Sequence, residues 1–154
     1  MFNRIVLSLV VIVAASALCD FYWRPSQSSA YRAAVSDYSS RAYRKSLDEL
    51  AAAGAFEPND PAVLSLMGWD LLRLRKPRRA EQCFRRAHWL EPYESDPLLG
   101  DIYAEISLEN YARARRLIEE FDRRYGESAG LRQAADVLDR QIKPARRLGP
   151  ARGH

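Results

Sequence analysis

Histidine and cysteine are nearly absent from this chain of 154 residues. There are two of each (His88 and His154, Cys19 and Cys83), none close to another in sequence. Two isolated histidines cannot build a nucleophile–base–acid arrangement, and two distant cysteines give neither a disulfide framework nor a zinc spacing. The adjacent acids Glu119 and Glu120 fall on an exposed helix face, and there is no glycine-rich phosphate loop. The expectation is a protein that is not an enzyme and takes no cofactor and no metal. Cys83 reads as a small hydrophobe in helix packing.

Lysine is also scarce, three against 21 arginines, and the net charge of +4 is not spread over the chain. The tail from Lys143 to His154 carries Lys143, Arg146, Arg147 and Arg152 with no acid, while residues 21–142 balance 19 basic against 19 acidic groups. A neutral body with a basic, Pro/Gly-containing tail (143–154), expected to be disordered, gives no reason to infer nucleic acid.

Long apolar runs are limited to one. Ile5 to Cys19 holds 15 uncharged residues, followed by Asp20 and the aromatic trio Phe21, Tyr22 and Trp23. As a helix this run spans roughly 22 Å, short for a hydrocarbon core of about 30 Å unless the aromatics sit at the far interface. Residues 1–23 therefore read as an N-terminal hydrophobic helix that is either a transmembrane anchor or a cleaved signal peptide, with Ala15-Ser16-Ala17 as the cleavage site. The aromatic trio favours the anchor. Residues 24–29 read as a linker.

What the chain does have is a period of 34 residues. Ser46, Ala80 and Ala114 share one register, as do Tyr43, Pro77 and Tyr111, then Leu50, Phe84 and Ile118, then Ala53, Ala87 and Phe121. Ala30, Leu64 and Leu98 line up earlier in each unit, and Pro58, Pro92 and Gly126 at its end. A period of this length marks stacked helix pairs. In the middle unit Leu64, Met67, Leu71 and Leu74 trace one apolar helical face, with Gly68 leaving room for close approach. Pro77 opens a second helix, whose face is Ala80, Phe84, Ala87 and Leu90, and Glu91-Pro92 ends it.

Leu64-x2-Met67-Gly68-x2-Leu71, followed by Ala80-x3-Phe84-x2-Ala87 and Pro92, resembles the tetratricopeptide repeat (TPR). The resemblance implies an all-α, right-handed α-solenoid over 30–142, with repeats at about 27–60, 61–94 and 95–128 and a capping helix at 129–142. The third unit departs from the pattern in its first helix, with Ile102 at the small-residue position and Glu105 at an apolar one. In the last helix Leu131, Ala135, Leu138 and Ile142 form the expected inner face, and Pro144 is expected to end it. Weak outer repeats leave room for self-association.

In such an array the first helix of each pair lines a concave groove. The residues expected there are Tyr31, Arg32 and Tyr38, then Ser65, Trp69 and Arg73, then Leu99, Tyr103 and Ser107. Aromatics and arginine are the usual anchors of interfaces. The family's carboxylate clamp of Lys, Arg and Asn has no counterpart here beyond Arg32 and Arg73. A second feature is a basic ridge on the inter-helix turns, formed by Arg75, Lys76, Arg78, Arg79, Arg85 and Arg86 and offset only by Glu81. The expected partners are another protein, from an envelope or membrane complex, and the membrane through residues 5–23. The expected function is a tethered protein-binding adaptor in a bacterial inner membrane, with the repeats in the periplasm. Alternatives are a cleaved, soluble periplasmic protein that holds export substrates, or peripheral binding of anionic membrane through Arg73–Arg86.

Overall fold

A computed structural model describes residues 29–52 and 59–147, and side chains as far as 142. The expectations for residues 1–28, for Ala53 and Pro58, and for 148–154 lie outside the described residues. Seven helices follow one another as sequential antiparallel-type pairs: α1 (Ser29–Ser39) with α2 (Tyr43–Ala52), α3 (Pro61–Arg73) with α4 (Pro77–Leu90), α5 (Ser95–Ser107) with α6 (Tyr111–Tyr125), and a final α7 (Ala129–Arg147). Among the described residues no helix is long and apolar enough to cross a membrane.

Helix starts follow the local chemistry. Asp60 caps α3 by accepting from the amides of Ala62 (3.0 Å) and Val63 (3.5 Å), and Pro61 follows in the first turn, where its missing N–H costs nothing. Pro77 opens α4 in the same way, and Ser128 Oγ accepts from the amide of Leu131 at 3.1 Å in the first turn of α7.

The period of 34 also appears in the backbone. Arg41 (φ 64°), Arg75 (φ 58°) and Glu109 (φ 62°) are left-handed, one in the turn inside each helix pair. Around each, the same two hydrogen bonds close the preceding helix. The amides of Ala42, Lys76 and Asn110 donate back to the carbonyls of Asp37, Leu71 and Glu105 (2.8, 2.8 and 2.9 Å), and those of Arg41, Arg75 and Glu109 to Tyr38, Leu72 and Ile106. This is the Schellman ending usually built on glycine. Here it is built three times without one, at a cost of roughly 1–2 kcal/mol per left-handed residue.

The core is organised around Phe84. Its ring, fully buried, projects from α4 between α3 and α5 and lies against the backbone of Gly68 on one side and Gly100 on the other. A Cβ at Gly68 would come within 2.6 Å of the ring, and one at Gly100 within 2.3 Å. Gly68 meets the ring from its own helix pair and Gly100 from the next one, so the third repeat packs on the middle one through a glycine at the register of Leu66. Leu71, Ala80 and Ala104 complete this cluster, and a second cluster around Ile102, Phe121, Leu131 and Leu138 seals α5, α6 and α7.

The last helix differs from expectation in two ways. Ala134, rather than Ala135, joins Leu131 and Leu138 in the core, and the helix runs past Pro144 to Arg147. One proline removes a single intrahelical N–H, and its fixed φ is itself helical, so the chain need not leave the helix there. The capping helix therefore extends beyond 142, into the segment assigned to the tail.

One polar pair is embedded in the packing. Ser46 Oγ donates to Asp70 Oδ2 at 2.6 Å, joining α2 to α3, and both residues are fully buried. Burial pushes the Asp70 carboxyl up to about 7, against the lowering effect of the Ser46 hydrogen bond.

Two outcomes follow. Gly100→Ala should destabilise the domain by about 1–3 kcal/mol in denaturant unfolding, and the loss should shrink when Phe84→Leu is combined with it. Asp70 holds a proton in the folded state that the unfolded chain releases near pH 4. Its contribution is therefore full below about pH 4, falls as pH rises towards about 7, and stays low above that. Melting temperature should decline between about pH 4 and 7, and Asp70→Asn should reduce the decline.

Candidate functional site

The first helices of the pairs pack against one another, α1 on α3, α3 on α5 and α5 on α7, whereas the backbones of α2, α4 and α6 stay apart and α4 and α6 meet only through long side chains such as Arg113–Glu81 and Arg124–His88. The layer of first helices is therefore the tighter one, and the array curves around it. Its face carries two recesses that share one side chain, Trp69.

The first recess, about 420 Å³, lies between α1, α3 and the turn leading into α5. Tyr31, Val35, Ser65 and Trp69 form its walls, with Glu91, Glu94 and Asp96 at its rim. The second, about 510 Å³, runs between Tyr38, Trp69, Arg73, Leu99, Tyr103 and Ser107 and is closed by Gln133 of α7. Of the residues expected in the groove, only Arg32 lines neither recess. It is exposed on α1. Val35, 40% exposed, and the acidic rim were not expected.

Trp69 is held rather than free. Its ring meets Phe84 edge-on at 5.1 Å and Tyr103 at 5.9 Å, and its indole N–H donates to the Asp96 carboxylate at 3.1 and 3.3 Å. The alternatives of packing residue and groove residue are both realised: one edge rests on the Phe84 wedge and the other is open to the recesses. Leu99 reaches over Gly130, where a Cβ would stand 2.7 Å from its Cδ2, so the wall beside Tyr103 depends on that glycine.

The two ends of the groove differ in charge. Arg73 stands beside Tyr38 in the second recess, and interaction with that side chain raises the guanidinium's pKa, which places a cation at the α1–α3 corner. The Tyr103 hydroxyl is pushed up by burial, against the lowering effect of Arg73. At the far end the Tyr31 hydroxyl is pushed up by burial and then by Asp60 and Asp96. The groove therefore has an aromatic floor, one positive corner and one acidic rim.

A carboxylate cluster lies elsewhere. Glu81, Asp101 and Glu105 bring ligand-type oxygens within 4.8 Å of one another. Arg113 occupies their midst, with Nε 2.8 Å from Glu105, Nη1 3.6 Å from Glu81 and Nη2 3.8 Å from Asp101. Asn110 also donates to Glu105 at 2.8 Å. Glu105 is fully buried at a position that is Leu71 in the middle repeat, and burial pushes the Asp101 carboxyl up to about 7 even with Arg113 beside it. The cluster is an ion-pair network linking the second and third repeats, with the cation already supplied by Arg113.

The basic ridge is placed differently from expectation. Arg75 and Lys76 lie in the α3–α4 turn, but Arg78, Arg79, Arg85 and Arg86 are spread along the exposed side of α4 itself. Cys83 lies partly buried against the Phe84 cluster, and burial raises its thiol pKa.

No protein-family model matches the sequence, and no curated protein matches it. Among solved structures, the chain is similar to the crystal structure of the Sgt2 TPR domain from Aspergillus fumigatus. The TM-score is 0.66 at 18% identity, over 80% of this chain and 83% of that one. The fold is that of a TPR domain.

Proposed function

We propose that the protein is a non-enzymatic adaptor whose aromatic groove holds a segment of another protein. The observation that carries this reading is the continuous surface around Trp69, where two recesses of about 420 and 510 Å³ are built mainly from the first-layer helices α1, α3, α5 and α7 with their aromatics already fixed. Preformed aromatic walls lower the ordering cost of binding and suit an extended or single-helix segment. The uncharged run from Ile5 to Cys19 supports tethering of the domain to a membrane, with the repeats on the periplasmic side and the partner another envelope protein. A tether raises the local concentration of the groove beside a membrane complex.

The test uses full-length chain in cells, with a photo-crosslinking amino acid in place of Ser107 at the groove edge. A discrete protein adduct is expected. In binding assays with that protein, Tyr103→Ala and Trp69→Ala should each weaken association by about 2 kcal/mol or more, roughly thirtyfold. Retention of the partner by both variants, with helicity unchanged by circular dichroism, would show that the groove is not the binding surface.

A further inference from the structure

The outward face of α4 carries a second surface that the groove does not use. At 100° per residue, Arg78, Arg79, Gln82, Arg85, Arg86 and Trp89 fall on one side of the helix, opposite the buried Ala80, Phe84 and Ala87. All six are exposed, and none is acidic. Glu81 stands at the edge of this face and pairs with Arg85 at 3.4 Å. Among the described residues, Arg78, Arg79 and Arg86 have no carboxylate within ion-pair distance. The outer face of α6 contrasts with it, because there Arg115, Arg116 and Arg123 alternate with Glu119 and Asp122.

The end of this face is aromatic. Trp89 is 70% exposed, and Tyr93, just beyond the helix, is 91% exposed. Large aromatics left in water are the informative kind of exposure. Arg86 lies over the indole, its guanidinium carbon 4.9 Å from the ring centroid, and is also held by Asn59 at 3.0 Å. An exposed tryptophan and an exposed tyrosine four residues apart, beside Arg78, Arg79, Arg85 and Arg86 and with Glu81, Glu91 and Glu94 as the nearby acids, match the chemistry of a lipid headgroup layer. Phosphates take the cations, and the ring edges settle at the interface.

We infer that the outer face of α4 docks on an anionic phospholipid bilayer through Arg78, Arg79, Arg86, Trp89 and Tyr93. Charge complementarity favours this occupant. A fluid surface requires only cations and interfacial aromatics and no shape-matched pocket. A single-stranded nucleic acid would require aromatic platforms interleaved along the cationic track, whereas Trp89 and Tyr93 are grouped at one end. Because α2, α4 and α6 lie on the side away from the groove, a domain docked in this way keeps the Trp69 surface open to a protein. The inference rests on a different face from the proposed function, so the two can fail separately. It also stands whether or not residues 5–23 hold the chain in the bilayer.

The test uses full-length protein with vesicles of phosphatidylcholine alone or mixed with phosphatidylglycerol, both carrying dibrominated acyl chains that quench nearby indoles. Trp89 emission is isolated as the difference between wild type and Trp89→Phe. Phosphatidylglycerol is expected to increase quenching of that signal at least twofold. The increase should vanish in about 0.5 M salt, where the screening length is only about 4 Å. Arg78→Gln, Arg79→Gln and Arg86→Gln should each weaken the effect roughly fivefold, whereas Arg115→Gln on α6 should not. Trp89 quenching that is indifferent to phosphatidylglycerol, or that survives in the triple Gln variant, would overturn the inference. So would emission that responds to single-stranded RNA or polyglutamate but not to the vesicles.

Discussion

The structure depends on one aromatic ring in a slot made by two glycines. Phe84 enters from α4 and touches the backbone of α3 at Gly68 and of α5 at Gly100, so a single side chain sets the spacing of three helices. Trp69 packs edge-on against the same ring, and Tyr103 packs on Trp69. The groove floor is thus the outer end of the core, and its aromatics keep their positions because the wedge beneath them cannot shift without a backbone clash.

A second constraint is charge placed inside the array. Buried carboxylates need a partner or a proton. Arg113 answers Glu105 within its own helix pair and Glu81 across the repeat boundary, while Asp70, its carboxyl pushed up to about 7 by burial, is hydrogen-bonded by Ser46 of the preceding pair. Such pairs add little net stability, because desolvation offsets most of the attraction, but a shifted register would leave a charge buried alone. They help fix the register in a chain whose first helix is poor in large apolar residues. Tyr125 adds a neutral link of the same kind, its hydroxyl donating to the Pro92 carbonyl at 2.6 Å across the repeat boundary.

The period of 34 was legible because the second helices keep their small and bulky positions with little change, and the helix pairs follow directly from it. Gly100 was not legible, because it stands in the register of Leu66, and its role shows only once Phe84 of the preceding repeat is seen to pack against it. The three left-handed turn residues share the period, but Arg41, Arg75 and Glu109 carry no glycine to mark them. The departure of Glu105 from an apolar position was visible in the sequence. Its answer, Arg113, lay eight residues on among other arginines, with nothing in one dimension to single it out. The groove residues followed from the register of the first helices, except Arg32, whose side of α1 faces solvent. The basic ridge lies mostly on α4 and not on the turns, because Arg78, Arg79, Arg85 and Arg86 have the spacing of one exposed side of that helix.

The account turns on which face of the array meets a protein partner, and the tryptophans report on the two faces separately. With indole nitrogens labelled in full-length chain, the partner recovered by crosslinking can be titrated while the Trp69 and Trp89 N–H signals are followed by NMR. Displacement of the Trp69 signal, whose N–H is held by Asp96, with Trp89 unmoved, is the predicted result. Movement of Trp89 with Trp69 unchanged would contradict it.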